Sequence, residues 1–291
     1  MMTPKRTWLF APGMDERKMS KAAESAADAL ILDLEDAVAV SEKPRARTMI
    51  RAQLEQQSTG RPIYVRVNDV TTGWTAEDIQ AVCVAGLSGI IVPKVEGAET
   101  IRTVSALIDS AERAAGLPSG QIRLNAIIET ARGVVHIASI AEAAGRLDML
   151  MFGAADYTAD LGIPTSNAGP HIVHAKVATV VASRSAGLAA PIDTVFFDVK
   201  DQEGLAADCV QAKALGFQGK AVIHPNQIEC VNSSFTPSSS EIAAAQRVVN
   251  TFCEAERNGI GAVQLDGKLI DYAMLKTAEK TLAMAQVLQP S

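Results

Sequence analysis

Three residues with chemical potential stand where short apolar runs end: Glu129 after 124–128, Asp156 just beyond 147–152, and Arg66 within 63–67. Two such acids can hold a hard divalent cation, because Mg2+ takes oxygen ligands and keeps several of its waters. Its remaining positions suit the keto and carboxylate oxygens of a 2-oxoacid, whose carbonyl the metal polarises as a Lewis acid. Mn2+ is the natural substitute. Arg66 adds a fixed cation for a developing alkoxide or enolate oxygen. Before Asp156 stand Gly153, Ala154 and Ala155, whose small side chains let backbone N–H groups close on an anion.

Further polar residues end other runs: Asp33 within 29–34 with Glu35 and Asp36 just after it, Lys94 after 89–92, and His224 after 220–223. Lys94 is a candidate substrate contact; the other four are candidate supports around the ligands. Each has a plainer reading. An acid at a strand end also serves as a helix N-cap or an ion-pair partner. Lys94 and Glu96 can simply pair with each other, and His224 before Pro225 can be a satisfied loop histidine.

These residues need a frame. Apolar runs at 7–10, 29–34, 63–67, 89–92, 124–128, 147–152, 194–197 and 220–223 read as strands. Continuous apolar runs suit parallel strands buried on both faces. Helical spacing fits 15–27, 41–57, 97–115, 132–144, 168–186 and 201–215. About eight strand-then-helix units predict a (β/α)8 TIM barrel, whose chemistry sits at the carboxyl ends of the strands. An open doubly wound sheet is the alternative, disfavoured by the strand count and by the lack of a GxGxxG after the first strand.

A Phe-Thr-Pro-Ser-Ser-Ser stretch over 235–240 reads as a linker, dividing a catalytic barrel (1–235) from a C-terminal extension (236–291). Ser240 is the expected N-cap of the following helix. In the extension, Asp266-Gly267 between apolar pairs predicts a hairpin turn, and a last helix is expected over 272–288.

Bulk properties exclude several classes. The chain has 291 residues, a formal charge of −6, 48% hydrophobic and 21% charged residues. A net acidic chain lacks the electrostatic footprint of a nucleic-acid binder. No apolar run reaches the roughly 18 residues of a membrane span. The polar start runs into a strand with no signal-peptide core, and the four cysteines form neither CxxC pairs nor Cys/His clusters. A cytoplasmic protein with reduced thiols is expected.

Several stretches together resemble the citrate lyase β-subunit-like family, within the wider malyl-CoA and citramalyl-CoA lyase group. They are Arg6 to Gly13, Ile31 to Val38, Lys43 to Arg47, Val65 to Asn68, Val92 to Glu96, Ile128 to Thr130, Phe152 to Tyr157 and Gly219 to Pro225. Each is weak alone, but they run in order over nearly the whole chain. The resemblance implies that Arg66 contacts substrate and that Glu129 and Asp156 bind Mg2+. It implies that Asp271, after Gly267-Lys268-Leu269-Ile270, is an acid/base reaching a neighbouring subunit's site, in a homotrimer or dimer of trimers. Capping the last helix is the plainer role for Asp271, and the two can coexist. Coenzyme A contacts are expected from the first βα loop and nearby basic residues: Arg17 and Lys18, with Lys5 and Arg6 also available, though any of them could be a solvated charge.

The implied reaction is carbon–carbon cleavage or formation on a 3-hydroxyacyl-CoA dicarboxylate thioester, such as malyl-, citramalyl- or citryl-CoA, giving acyl-CoA and a 2-oxoacid. Two other readings stand beside it: a citrate lyase β-type component of a multiprotein complex, and an acyl-CoA thioesterase on the same site. A non-catalytic acyl-CoA binder is disfavoured by the intact Arg66, Glu129 and Asp156.

Overall fold

A computed structural model of the chain describes residues 4–56, 60–143, 145–165 and 169–288. Two compact units emerge, one of residues Lys5–Asn232 and one of the segment from Ser233 onward with Pro4. No helix among the described residues is long and apolar enough to cross a membrane.

The first unit is a closed barrel of eight parallel strands in sequential order. They are β1 (Thr7–Pro12), β2 (Ala29–Asp33), β3 (Ile63–Arg66), β4 (Gly89–Val92), β5 (Arg123–Ile128), β6 (Leu147–Phe152), β7 (Ile192–Asp193) and β8 (Gly219–Val222). Closure comes from β1 and β8, with Thr7, Trp8 and Leu9 in register with Lys220, Ala221 and Val222. The expected (β/α)8 barrel is borne out, and the open-sheet alternative falls.

Helices α1 (Glu16–Glu24), α2 (Lys43–Gln56), α3 (Thr75–Val82), α4 (Ala98–Ala115), α5 (Ala131–Val135), α6 (Ile137–Ala141), α7 (Ala154–Asp160), α8 (Pro170–Ser185) and α9 (Gln202–Leu215) connect the strands. The single helix expected over 132–144 is two, α5 and α6, meeting at His136. There His136 Nδ1 lies 2.8 Å from the Glu96 carbonyl, and Gly133 packs so close that a Cβ would meet the Val95 carbonyl at 2.5 Å. Residues 57, 144 and 168, at the ends of expected helices, lie outside the described residues.

Strand alternation decides what faces the barrel axis. The interior cluster includes Trp8, Ala29, Ile31, Tyr64, Ile91, Ile127, Met149, Met151, Ile192 and Ala221. Two residues further along each strand, the same face carries Asp33, Arg66, Glu129, Gly153, Thr194 and Ile223. The functional candidates are therefore the next rung above an apolar core. Register aligns them: Asp33 is opposite Arg66 on β2 and β3, and Pro12 opposite Asp33 on β1 and β2.

The seventh strand is a correction. It was expected over 194–197 and is the two-residue Ile192–Asp193. A charged residue at 193 reads against a buried strand, yet Asp193 is fully buried on the outer face of the sheet. There it meets Lys176 of α8 at 3.1 Å and Lys220 of β8 at 2.7 Å, and Asp208 of α9 lies 3.4 Å from Lys176.

The boundary falls within α10 (Ile228–Phe235), whose last residues open the second unit; that unit then holds α11 (Ser239–Arg257), the hairpin β9 (Val263–Leu265) and β10 (Lys268–Ile270), and α12 (Tyr272–Leu288). The expected hairpin forms. Asp266 and Gly267 take φ of 51° and 78°, as a tight turn with two left-handed residues requires. Only Thr236, Pro237 and Ser238 separate α10 from α11, so the expected linker is a short connection. Ser238, not Ser240, is the N-cap, closing a capping box with Glu241.

Candidate active site

The barrel's carboxyl end opens on a cavity of about 430 Å3, lined by residues that include Asp33, Asp36, Arg66, Glu129, Gly153, Ala154, Ala155 and Asp156. Most of the expected site residues meet here.

Arg66 is fixed by its neighbours. Its Nε and Nη2 donate to the two oxygens of Asp33, each at 2.7 Å. Its Nη1 lies 2.9 Å from Glu35, and the guanidinium stacks over Phe10 with Cζ 5.1 Å from the ring centre. Such a bidentate, stacked geometry belongs to arginine and is closed to lysine. Burial pushes the guanidinium toward neutrality, but the charge of Asp33 and its hydrogen bonds, then Glu35 and Glu129, hold its pKa above normal. Asp33 shows the complement. Burial works to raise it, and Arg66 with the backbone N–H groups of Glu35 and Ala37 holds it below the usual carboxylate range.

Lys94 bridges the acids. Its Nζ donates to Glu35 at 2.8 Å and lies 3.7 Å from Asp156. It pairs with Glu35 rather than Glu96, which faces Arg132 at 4.0 Å. Lys94 adopts a φ of 50°, rare for a side chain of its size. That twist aims its backbone N–H at Glu129 Oε1, at 2.9 Å.

Glu129 is 2% exposed. Its pKa is pushed up to about 8 by burial first, then by the charges of Asp156 and Glu35. Gly153 is required beside it, because a Cβ there would come within 2.4 Å of Glu129 Oε2. With every group ionised, the five carboxylates Asp33, Glu35, Asp36, Glu129 and Asp156 outnumber the two cations, Arg66 and Lys94, that form ion pairs with this cluster among the described residues. This acidic excess, in oxygen-only donors, fits a hard divalent cation. Among the described residues no three His, Cys, Asp or Glu side chains form a closed metal cage. The fit is therefore to a metal that takes two carboxylates and completes its shell with water and substrate, as Mg2+ does.

The backbone amides of the Gly-Ala-Ala stretch are partly committed. Gly153 N–H donates to the Ile128 carbonyl at 3.0 Å, and Ala154 N–H to Thr194 Oγ1 at 2.9 Å. Thr194 was missed by sequence reading, which placed it inside a strand. With β7 correctly ended at Asp193, alternation alone puts Thr194 on the inner face. Asn125 was also missed. It is fully buried two residues before Ile127, and neither of its side-chain polar atoms has a partner within the described protein.

Other candidates stand elsewhere. His224 caps a short 3-10 turn, its Nδ1 accepting from Asn226 N–H at 3.2 Å, and it does not line the cavity. It is the loop histidine of the plainer reading. Arg17 and Lys18 are exposed on α1, Lys18 beside Asp15 at 3.4 Å. Arg6 holds Asp28 with two side-chain nitrogens, at 2.8 and 2.9 Å. Because Lys5 and Arg6 precede β1, they stand at the amino end of the barrel, opposite the cavity. Asp271 ends the hairpin and caps α12, accepting from Ala273 N–H at 2.9 Å and Met274 N–H at 3.1 Å.

A closed parallel barrel with clustered acids and an oriented arginine at its carboxyl mouth has the build of a barrel enzyme. The chain belongs to the HpcH/HpaI aldolase/citrate lyase family, whose model matches residues 6–225. It is 35% identical to citrate lyase subunit beta of Leuconostoc mesenteroides subsp. cremoris over 97% of this chain and 93% of that protein. It is 39% identical to (3S)-malyl-CoA thioesterase of Cereibacter sphaeroides over 98% and 96%. Among solved structures it is similar to CitE of Mycobacterium tuberculosis in complex with magnesium, acetoacetate and coenzyme A. That match has a TM-score of 0.79 and 32% identity, covering 97% and 98% of the two chains. The family resemblance read from the motifs is thus borne out.

Proposed function

We propose that the protein is a Mg2+-dependent carbon–carbon lyase acting on a 3-hydroxyacyl-CoA whose hydroxyl-bearing carbon also carries a carboxylate. One observation carries this reading: Glu129 and Asp156 share a cavity with an arginine that Asp33 and Glu35 hold in place. The names of the relatives add the substrate class, since a citrate lyase subunit and a malyl-CoA thioesterase both act on such acyl groups.

Glu129 and Asp156 would hold the metal, which supplies Lewis-acid polarisation of the carbonyl formed on cleavage. In the cleavage direction the hydroxyl gives its proton to water at the open cavity mouth and the bond between C2 and C3 breaks. The hydroxyl carbon becomes the keto carbon of a 2-oxoacid, and the electron pair passes to the thioester enolate. Arg66 stabilises the oxygen that gains charge. Protonation of the enolate carbon completes acyl-CoA. Asp271, brought by a neighbouring copy of the chain, is assigned that proton transfer.

The test is direct. Purified protein with Mg2+ should release 2-oxoacid from malyl-CoA or citramalyl-CoA without a carrier protein, and chelation should stop it. Release of free CoA in place of oxoacid would instead support the thioesterase reading that the Cereibacter relative suggests. Oligomers mixed from Asp271→Ala and Glu129→Ala chains should regain part of the lost activity. If exchange restores nothing, the shared-site assignment fails.

A further inference from the structure

The two cations of the acid cluster divide its carboxylates between them. Arg66 pairs with Asp33, Glu35 and Asp36. Lys94 alone reaches both proposed metal ligands. Its left-handed backbone lets the main-chain N–H donate to Glu129 Oε1 at 2.9 Å. Its Nζ lies 2.8 Å from Glu35 Oε1, 3.7 Å from Asp156 Oδ1 and 3.9 Å from Asp36 Oδ1. Among the described residues that is the one ion pair of Asp156. The short contact is with Glu35 and the long one is with Asp156. Lys94 is not among the residues that line the cavity, so it stands beside the acids and off the substrate's path.

An ion bonded to Asp156 at the Mg2+–oxygen distance of about 2.1 Å stands close to an ammonium 3.7 Å from the same carboxylate. Two positive charges then share one acid in a partly buried site, where water screens them poorly. We propose that Lys94 is a tethered cation that competes with the divalent metal for Asp156, weakening metal binding while strengthening the hold on an anionic substrate. The proposal rests on Glu129 and Asp156 as the metal ligands. The residue type suits the task. An ammonium on a flexible stem can yield Asp156 and keep Glu35, whereas a guanidinium fork is fixed in its geometry. The charge balance suits it too. With a dication bound, the five carboxylates still exceed the positive charge, and Lys94 reduces that excess. A smaller excess eases the approach of a substrate carboxylate.

The experiment is calorimetric titration of the full chain with MgCl2, then with pyruvate at saturating Mg2+, for the parent and three variants whose folding is checked by thermal melting. Lys94→Asn removes the charge and tolerates the left-handed backbone, so the main-chain N–H stays on Glu129. It should bind Mg2+ about tenfold more tightly than the parent and pyruvate about tenfold more weakly, as expected for one charge at these distances in a partly exposed site. Lys94→Met, uncharged and closer in shape to lysine, should do the same. Lys94→Arg returns a cation and should bring both affinities back toward the parent. The opposite signs separate this role from a structural one, whose loss weakens both ligands together. Mg2+ binding that is unchanged or weaker in the folded neutral variants would overturn the proposal and leave the metal ligands as assigned. If no chain binds Mg2+, the ligand assignment fails and takes the proposal with it. If the opposed shifts appear but the parent cleaves neither malyl-CoA nor citramalyl-CoA, the lyase reading fails while the role of Lys94 stands.

Discussion

Two clusters of charge lie on opposite faces of the same sheet, and adjacent residues lead into them. Asp193 points outward, into a dry set with Lys176, Lys220 and Asp208. Thr194 points inward, to the cavity with Arg66, Glu129 and Asp156. The outer set has two acids and two lysines, and Asp193, Lys176 and Lys220 are fully buried. Its charges sustain one another. Burial would raise Asp193, but Lys220 and Lys176 hold it low; burial would lower Lys220, but Asp193 and Asp208 hold it high. The inner set has five acids against two cations and opens on a cavity. Its central acid, Glu129, is displaced to about 8. A balanced, closed set has no reason to bind anything, whereas an unbalanced set facing a cavity invites a counter-charge.

The contrast can be broken most forcefully at Glu129. Glu129→Gln should abolish Mg2+ binding and lower turnover by about three orders of magnitude or more, since metal polarisation is worth several kcal/mol. Its folded stability should hold or rise, because a strained buried carboxylate is removed. Calorimetric metal titration beside thermal melting checks both. Arg66→Lys comes next, with a loss of about 10²–10³ in rate, because an ammonium cannot grip Asp33 with two parallel hydrogen bonds. A rate within a few-fold of the parent would remove Arg66 from the chemistry.

Lys220→Met in the outer set should reverse the pattern. It leaves two buried acids with one lysine, and breaking such a set costs about 3–5 kcal/mol of stability. Mg2+ affinity of the folded protein should change far less. Loss of metal binding with unchanged melting would contradict the division between the two clusters.

The pH sets another boundary. Glu129 has an ordinary value of 4.5 and a folded value of about 8. Below 4.5 both folded and unfolded forms hold the proton. Between 4.5 and 8 the unfolded chain releases it and the folded apoprotein keeps it, so this group's contribution to stability falls as pH rises through that window. At neutral pH, Mg2+ binding must therefore expel close to one proton. Affinity should increase about tenfold per pH unit up to about 8 and then level off. Titrations in buffers of different ionisation enthalpy count that proton directly.

Much of this was legible in the sequence, for a specific reason. The inner rung continues a period-two pattern, so a polar residue at the end of an apolar run is marked by its position. Arg66 and Glu129 were expected at the site on that ground and Asp156 on its place just beyond β6, and all three line one cavity; β6, the Asp266-Gly267 turn and α12 fell where pattern and turn chemistry put them. What stayed hidden depends on partners distant in sequence. β7 was misplaced because the lysines that neutralise Asp193 lie 17 and 27 positions away. The break at His136 is made by the Glu96 carbonyl, 40 positions earlier.

Thr194 offers the finest test, because it sits where the two clusters meet. Its backbone follows Asp193, pinned by two lysines, and its hydroxyl holds the first turn of α7, which carries Asp156. Thr194→Val keeps the shape and removes the acceptor. The Ala154 N–H is then buried without a partner, at a cost of about 1–3 kcal/mol, unless α7 shifts to relieve it. Either response loosens Asp156 and leaves Glu129 in place. Mg2+ should bind roughly tenfold more weakly, within that same energy, while turnover at saturating metal stays near the parent value. Thr194→Ser should restore the affinity, since it returns the oxygen without the methyl. If the Val variant binds Mg2+ like the parent and the Ser variant binds it weakly, the methyl and not the hydrogen bond is what Thr194 contributes, and the link from the outer cluster to the metal site is absent.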